Sequence, residues 1–288
     1  MIYDFTYENP TRIHFGKSAM SHLAEELKPY GKNILLVYGK NSIKVTGLYD
    51  QIMNILHECG KMVFELPGIN SNPRYAQVME GARMVRENGI DFILAVGGGS
   101  VIDCTKGISV SSYYDGDAWQ YYWEENGPIV NKTIPFAAVL TMAGTGSEMN
   151  ATSVITNEEK KLKIGRTFPL WEMSPKFSIM NPELTYTVPI RQMVSGIYDI
   201  ISLPSSGSPK SLYKRALSRP LLRQAQDRQT SSGQASPVAL LTSSSFLGVP
   251  SVYRSKLHCT RFAQMFPSCC FRFQIYCLLT LFLRFCIF

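Results

Sequence analysis

The chain predicts an α/β fold, a mostly parallel sheet with helices on both faces, and three observations carry that expectation. Short apolar runs at 33–38, 62–66, 92–96, 136–140 and 177–180 have the length of buried strands. Stretches with helical spacing, at 48–59 and 75–88, lie between successive runs. Between the run at 92–96 and the helix after Ser100 stands Gly97-Gly98-Gly99-Ser100, a tight strand-to-helix turn. Strands alternating with helices of this length need crossover connections, which make neighbouring strands parallel.

Taken in order, residues 3–8 and 11–16 alternate polar and apolar across Asn9-Pro10 and predict a short hairpin. An amphipathic helix follows over 18–27, ended near Pro29. After the strand at 33–38, Gly39-Lys40-Asn41-Ser42 turns the chain into the helix at 48–59. The strand at 62–66 runs into Pro67-Gly68, and the helix at 75–88 is closed by Gly89. Residues 153–156 and 162–166 flank Asn157-Glu158-Glu159-Lys160 and read as a second hairpin. Pro189 opens a last helix that runs through Asp199.

Charge divides the chain. Its 288 residues are 45% hydrophobic, ample for a buried core, and the formal net charge is +7. Residues 203–288 hold 11 Lys+Arg against one acid, Asp227, whereas residues 1–202 hold 18 against 21. The basic balance therefore belongs to the second part, and the body is an ordinary, slightly acidic protein with no nucleic-acid or membrane signature. Cys59 and Cys104 alone in the body do not make a disulfide framework. Met1-Ile2-Tyr3-Asp4-Phe5 lacks the basic and apolar regions of a signal peptide, so a cytoplasmic location is expected.

Three strand ends carry candidate chemistry. Glycines at 97–99 let the backbone take φ > 0 and come close to an anion, while the new helix supplies N–H donors and a positive dipole end. Ser100 is expected as N-cap, with Asp103 three residues on capping the same N–H groups. A turn kept only for close helix-to-strand packing is the competing reading; the strand before and helix after favour phosphate binding. The turn Gly39-Lys40-Asn41-Ser42-Ile43-Lys44 stands where a dinucleotide site commonly has an acid for the ribose 2′-hydroxyl. It has none, and Lys40, Lys44 and Ser42 suit a 2′-phosphate, so NADP is expected over NAD unless the lysines merely solvate a helix start. At the third strand end, Thr141-Met142-Ala143-Gly144-Thr145-Gly146-Ser147-Glu148 interleaves hydroxyls with glycines. Thr141, Thr145, Gly146 and Ser147 are the expected contacts to the nicotinamide half.

Four motifs now stand in one order: Gly97-Gly98-Gly99-Ser100 with Asp103 and Lys106; Thr145-Gly146-Ser147-Glu148; Asn181-Pro182-Glu183-Leu184-Thr185; and Gly196-Ile197-Tyr198-Asp199. Together they resemble the iron-containing alcohol dehydrogenases, and within them the NADPH-dependent butanol dehydrogenase branch, over about residues 1–202. The resemblance implies a Rossmann-like dinucleotide-binding domain over 1–180 and the start of a helical metal-binding domain over 181–202. It also implies Lys106 as a site residue, a small alcohol or aldehyde as substrate, and a homodimer in intact relatives. Polyol-phosphate dehydrogenases and sugar-phosphate cyclases share the glycine cradle, but the Thr-Gly-Ser-Glu loop points to alcohol dehydrogenase.

The resemblance further implies Fe²⁺ or Zn²⁺ held by an aspartate, a histidine one helical turn later, and two histidines of the helical domain. Asp199 matches the aspartate, but the next position is Leu203, followed by Pro204-Ser205-Ser206-Gly207. The chain has four histidines, His14, His22, His57 and His258, and none falls on a ligand position of the family. Residues 203–288, basic and rich in serine and cysteine, are read as an out-of-frame or inserted tail. The rival is a basic appendage for membrane or RNA, yet the apolar run at 273–283 is shorter than the ~20 residues of a spanning helix, and no basic-aromatic pattern marks a nucleic-acid module. The expected reaction is hydride transfer between NAD(P)H and an aldehyde or primary alcohol, with this chain itself inactive; a nucleotide-binding remnant is the alternative.

Overall fold

A computed structural model describes the backbone of residues 8–202 and the side chains of residues 8–196. One compact unit spans Asn9–Pro189, and the helix Ile190–Ser202 belongs to a second. Strands are β1 (Arg12–Phe15), β2 (Asn33–Tyr38), β3 (Met62–Leu66), β4 (Phe92–Gly97), β5 (Phe136–Leu140), β6 (Thr152–Asn157), β7 (Leu162–Thr167) and β8 (Phe177–Met180). Helices are α1 (Leu23–Leu27), α2 (Ser42–Val45), α3 (Leu48–Glu58), α4 (Tyr75–Asn88), α5 (Gly99–Ser111), α6 (Leu170–Met173) and α7 (Ile190–Ser202).

Six strands form one sheet in the order β1-β8-β5-β4-β2-β3, and every pairing in it is parallel. Every residue of β4 and β5 is buried, because helices cover both faces of the sheet. The period of two sorts these strands: Leu35, Val37, Ile93, Ala95 and Ala138 pack in a core with Val78 and Val85 of α4 and Ile108 of α5. Ile34, Leu36, Leu94, Val96 and Val139 pack in a second core with Leu27 of α1 and Ile52 and Leu56 of α3. Gly81 lets α4 and α5 approach, since a Cβ there would fall 2.4 Å from Ile108 Cδ1. Gly89 closes α4 in the left-handed region at φ 56°. β6 and β7 form the separate antiparallel hairpin.

Two expectations need correction, and one is left untouched: the first arm of the expected hairpin, residues 3–7, lies outside the described residues, while its second arm, β1, pairs in parallel with β8 with Arg12 opposite Phe177. The helix at 18–27 is split into a 3₁₀ turn, Ala19–His22, and the short α1. Ser100 is not the N-cap. Gly98 occupies that position without a side-chain cap, and Asp103 turns away from the helix start. The Leu203 position and the tail at 203–288 lie outside the described residues.

Candidate dinucleotide site

The strand order fixes where a ligand can enter. The chain leaves β2 toward β3 on one side, while β4 leads to β5 on the other, so a crevice opens at the carboxyl ends of β2 and β4. Tyr38 pairs with Val96 in register, which brings the turn after β2 level with the glycine turn after β4. Thr141 N donates to Gly97 O at 3.0 Å, so the loop after β5 starts beside them. Three loops from distant parts of the sequence thus meet at one end of the sheet.

The glycines of the cradle are needed for a reason other than the one expected. None of Gly97, Gly98 and Gly99 has positive φ. A Cβ on Gly97 would lie 2.5 Å from Val101 Cγ2, one on Gly98 would lie 3.2 Å from Met142 Cβ, and one on Gly99 would lie 3.0 Å from Thr145 Oγ1. Close approach of the helix leaves no room for a side chain at Gly97, while at Gly98 and Gly99 the neighbouring loop is in tight contact and would have to give. Gly146 is the position that requires left-handed backbone, at φ 73°. Helical hydrogen bonding starts with Val101 N and Ile102 N donating to Gly98 O, so the N–H groups of Gly99 and Ser100 precede it and face the half-exposed turn.

Asp103 and Lys106 do not line this turn. Lys106 is fully buried, and its Nζ donates to Ser147 O and Ser147 Oγ, both at 2.8 Å, to Thr152 O at 2.9 Å and to Asn150 Oδ1 at 3.1 Å. Ser147 Oγ donates to Asp103 Oδ1 at 2.5 Å, and Val154 N donates to Asp103 Oδ2 at 3.2 Å. Ser147 is buried as well, so these three expected ligand contacts instead brace the loop after β5 against α5. Burial pushes the Asp103 carboxyl up, opposed by Lys106, and also pushes up Glu148. Burial lowers Lys106 to about 8 against the pull of both carboxylates.

At the other side of the crevice Lys40, Ser42 and Lys44 are exposed. Lys44 Nζ rests over the rings of Tyr49, 4.6 Å from its centroid, and Tyr38, 5.6 Å away. Both phenols donate to Glu65 of β3: Tyr38 to Oε2 at 2.6 Å and Tyr49 to Oε1 at 2.8 Å. Burial and then the bond to Glu65 push the Tyr38 phenol up, whereas for Tyr49 the bond to Glu65 is the larger cause. An acid therefore stands close to the turn after all, supplied by the next strand. Tyr38, Tyr49 and Glu65 were not legible as a group, since they lie on three elements with no common spacing.

Among the described residues no group of three or more His, Cys, Asp and Glu side chains could hold a metal ion. Asp199 lies on α7, and its side chain is outside the described ones. The described residues therefore do not fit a metal. Nor is any described helix long and apolar enough to cross a membrane.

A parallel sheet with glycine-rich loops gathered at its switch point defines a Rossmann-like α/β protein. The family model described as iron-containing alcohol dehydrogenase matches residues 10–182. The chain belongs to the iron-containing alcohol dehydrogenase family. It is 52% identical over 199 residues to a Bacillus subtilis (strain 168) protein named "Probable NADH-dependent butanol dehydrogenase 1", covering 69% of this chain and 50% of that one. It is 39% identical over 198 residues to the Escherichia coli (strain K12) protein named NADPH-dependent aldehyde reductase YqhD, covering 68% and 50%. A crystal structure titled NADH-dependent butanol dehydrogenase A from Thermotoga maritima superimposes with a TM-score of 0.70 at 32% identity, over 78% of this chain and 58% of that one. The chain thus spans about half the length of the curated relatives it matches.

Proposed function

We propose that the unit Asn9–Pro189 binds a nicotinamide dinucleotide, which in intact family members exchanges a hydride with an aldehyde or primary alcohol, while this chain itself turns nothing over. The observation that carries this reading is the convergence of three loops, from β2, β4 and β5, at one switch-point crevice. Gly97, Gly98, Gly99 and Ser100 hold the pyrophosphate through backbone N–H groups. Thr141, Thr145 and Gly146 border the nicotinamide, and Gly39, Lys40, Ser42 and Lys44 the adenosine. Asp103, Lys106 and Ser147 keep the middle loop in place without touching the cofactor. The cofactor carries the hydride, and the protein orients it.

The names of the relatives support an alcohol or aldehyde substrate, and they divide between NADH and NADPH. Lys40 and Lys44 argue for NADPH, since a 2′-phosphate gains two cations that a hydroxyl does not. Residues 181–202 open the metal-binding domain, in which Asp199 is a ligand of the family's metal. Calorimetric titration of the full chain with NADPH and NADH tests the reading. We expect saturable binding of both with NADPH the tighter, and heat from neither would overturn it.

The absence of turnover is favoured by one observation: Leu203 stands where the family's histidine ligand is expected.

A further inference from the structure

We infer that Glu65 governs how this chain distinguishes a 2′-phosphate from a 2′-hydroxyl, acting through Tyr38 and Tyr49 on the ammonium of Lys44. The inference rests on the dinucleotide reading above and goes further in naming the group that sets its selectivity. Glu65 lies on β3, Tyr38 at the end of β2, and Tyr49 in the first turn of α3. Its carboxylate accepts one phenol on each oxygen, at 2.6 and 2.8 Å, so the two rings are fixed by a single acid. Both rings then serve as the seat for Lys44 Nζ, 4.6 and 5.6 Å from their centroids.

Two physical consequences follow. A surface lysine ordinarily gives up rotamer freedom when it grips an anion, whereas one already resting on two aromatic faces has less to lose. A phenol that donates to a carboxylate is also richer in electrons, which strengthens its hold on a cation. Lys44 N donates to Asn41 O at 3.1 Å, so the held lysine sits one turn from the loop that borders the crevice. The device is charge-balanced: the lysine attracts a 2′-phosphate, and the carboxylate beneath repels it. Such a balance leaves selectivity modest and makes Glu65 the group that sets it. Glu65 is a positioning residue here, since it reaches the ligand only through the rings and the lysine.

The adenosine end can be tested alone with 2′,5′-ADP and 5′-AMP, which differ by the 2′-phosphate. Their affinities for the full chain are measured by calorimetry in wild type, Lys44→Ala, Tyr49→Leu and Glu65→Gln, with circular dichroism melts of each. In Lys44→Ala the affinity ratio of 2′,5′-ADP to 5′-AMP falls about tenfold, the loss of one charge-assisted contact. In Tyr49→Leu it falls about threefold as the lysine loses its seat, and in Glu65→Gln it rises about threefold as the repulsion goes. The rise in Glu65→Gln shrinks as salt is added, which a loss of packing would not do. A ratio unmoved by Tyr49→Leu, or unmoved or lowered by Glu65→Gln, overturns the inference while leaving the dinucleotide reading in place. Lys44 is exposed, so Lys44→Ala keeps the fold, and an unmoved ratio in that variant overturns the inference by itself. Wild type that binds neither nucleotide overturns the dinucleotide reading and the inference with it.

Discussion

The ammonium of Lys106 donates to the carbonyl oxygen of Ser147 at 2.8 Å, joining the middle of α5 to a turn 41 positions further along the chain. Three more oxygens, from Ser147, Asn150 and Thr152, surround the same nitrogen. Asp103, one turn earlier on the helix, accepts the Ser147 hydroxyl. The loop after β5 has little regular structure of its own, so its shape depends on this buried cation. Whatever the loop contacts at the crevice is held from behind.

Replacing Lys106 is therefore expected to cost more than an average core change. Lys106→Met keeps most of the side-chain volume but leaves the four oxygens that accept from its ammonium facing an apolar group. Leaving buried acceptors unsatisfied costs about 1–3 kcal/mol each. Chemical denaturation of the variant should show that loss, and a change below about 1 kcal/mol would mean that water replaces the ammonium without penalty.

The same residue gives a pH signature. Burial lowers Lys106 from 10.5 to about 8, so between those values the unfolded chain holds a proton that the folded chain has released. Stability contributed by this group therefore rises with pH across that window, and below about pH 8 the cost of burying the charge is present in full. The stability difference between wild type and Lys106→Met should grow as pH is raised from 8 to 10. A difference that stays flat would count against the buried, destabilised ammonium.

The cradle glycines separate into two kinds. Gly97→Ala would set a Cβ 2.5 Å from Val101 Cγ2 within the same turn, and overpacking of this sort costs about 1–3 kcal/mol. Gly98→Val meets Met142 Cβ at 3.2 Å, a contact the loop can relieve by shifting. We expect Gly98→Val to keep its circular dichroism spectrum and lose NADPH affinity. Retained affinity in the folded variant would assign the glycines to packing alone.

How much of this was legible in the sequence follows from how local each signal is. β2, β4 and β5 announce themselves because strands buried on both faces are continuous apolar runs, and Gly89 marks the end of α4 by its backbone alone. The partner of β1 was not legible, because Arg12 and Phe177 meet only through the completed sheet. The π-helical turn Trp119–Glu124, whose Trp119, Tyr122 and Trp123 pack against Tyr75 and Phe168, has no local signature either. At the site, the turns carrying Gly39, Gly97 and Thr141 could be named from strand ends. The inward direction of Lys106 and the pairing of Glu65 with Tyr38 and Tyr49 could not, because each is a contact between elements distant in sequence.

The last expectation concerns turnover. A catalytic metal site needs about three protein ligands, so that the ion is held and a position stays open for substrate. The family resemblance carries over one, Asp199, whose helix α7 is described as far as Ser202. The histidine that should follow one turn later is Leu203, and His14, His22 and His57 all belong to the part of the chain before α4. A single carboxylate competes poorly with water for a divalent ion. The full chain should therefore retain less than one equivalent of Fe²⁺ or Zn²⁺ after equilibrium dialysis, and should consume no NADPH when butanal is added under anaerobic conditions. Stoichiometric metal retention that disappears in Asp199→Ala would show that further ligands complete a site with Asp199, and His258 and Cys259, which lie outside the described residues, are the first to examine. Retention that survives Asp199→Ala would instead place the ion elsewhere and remove Asp199 from the ligand set.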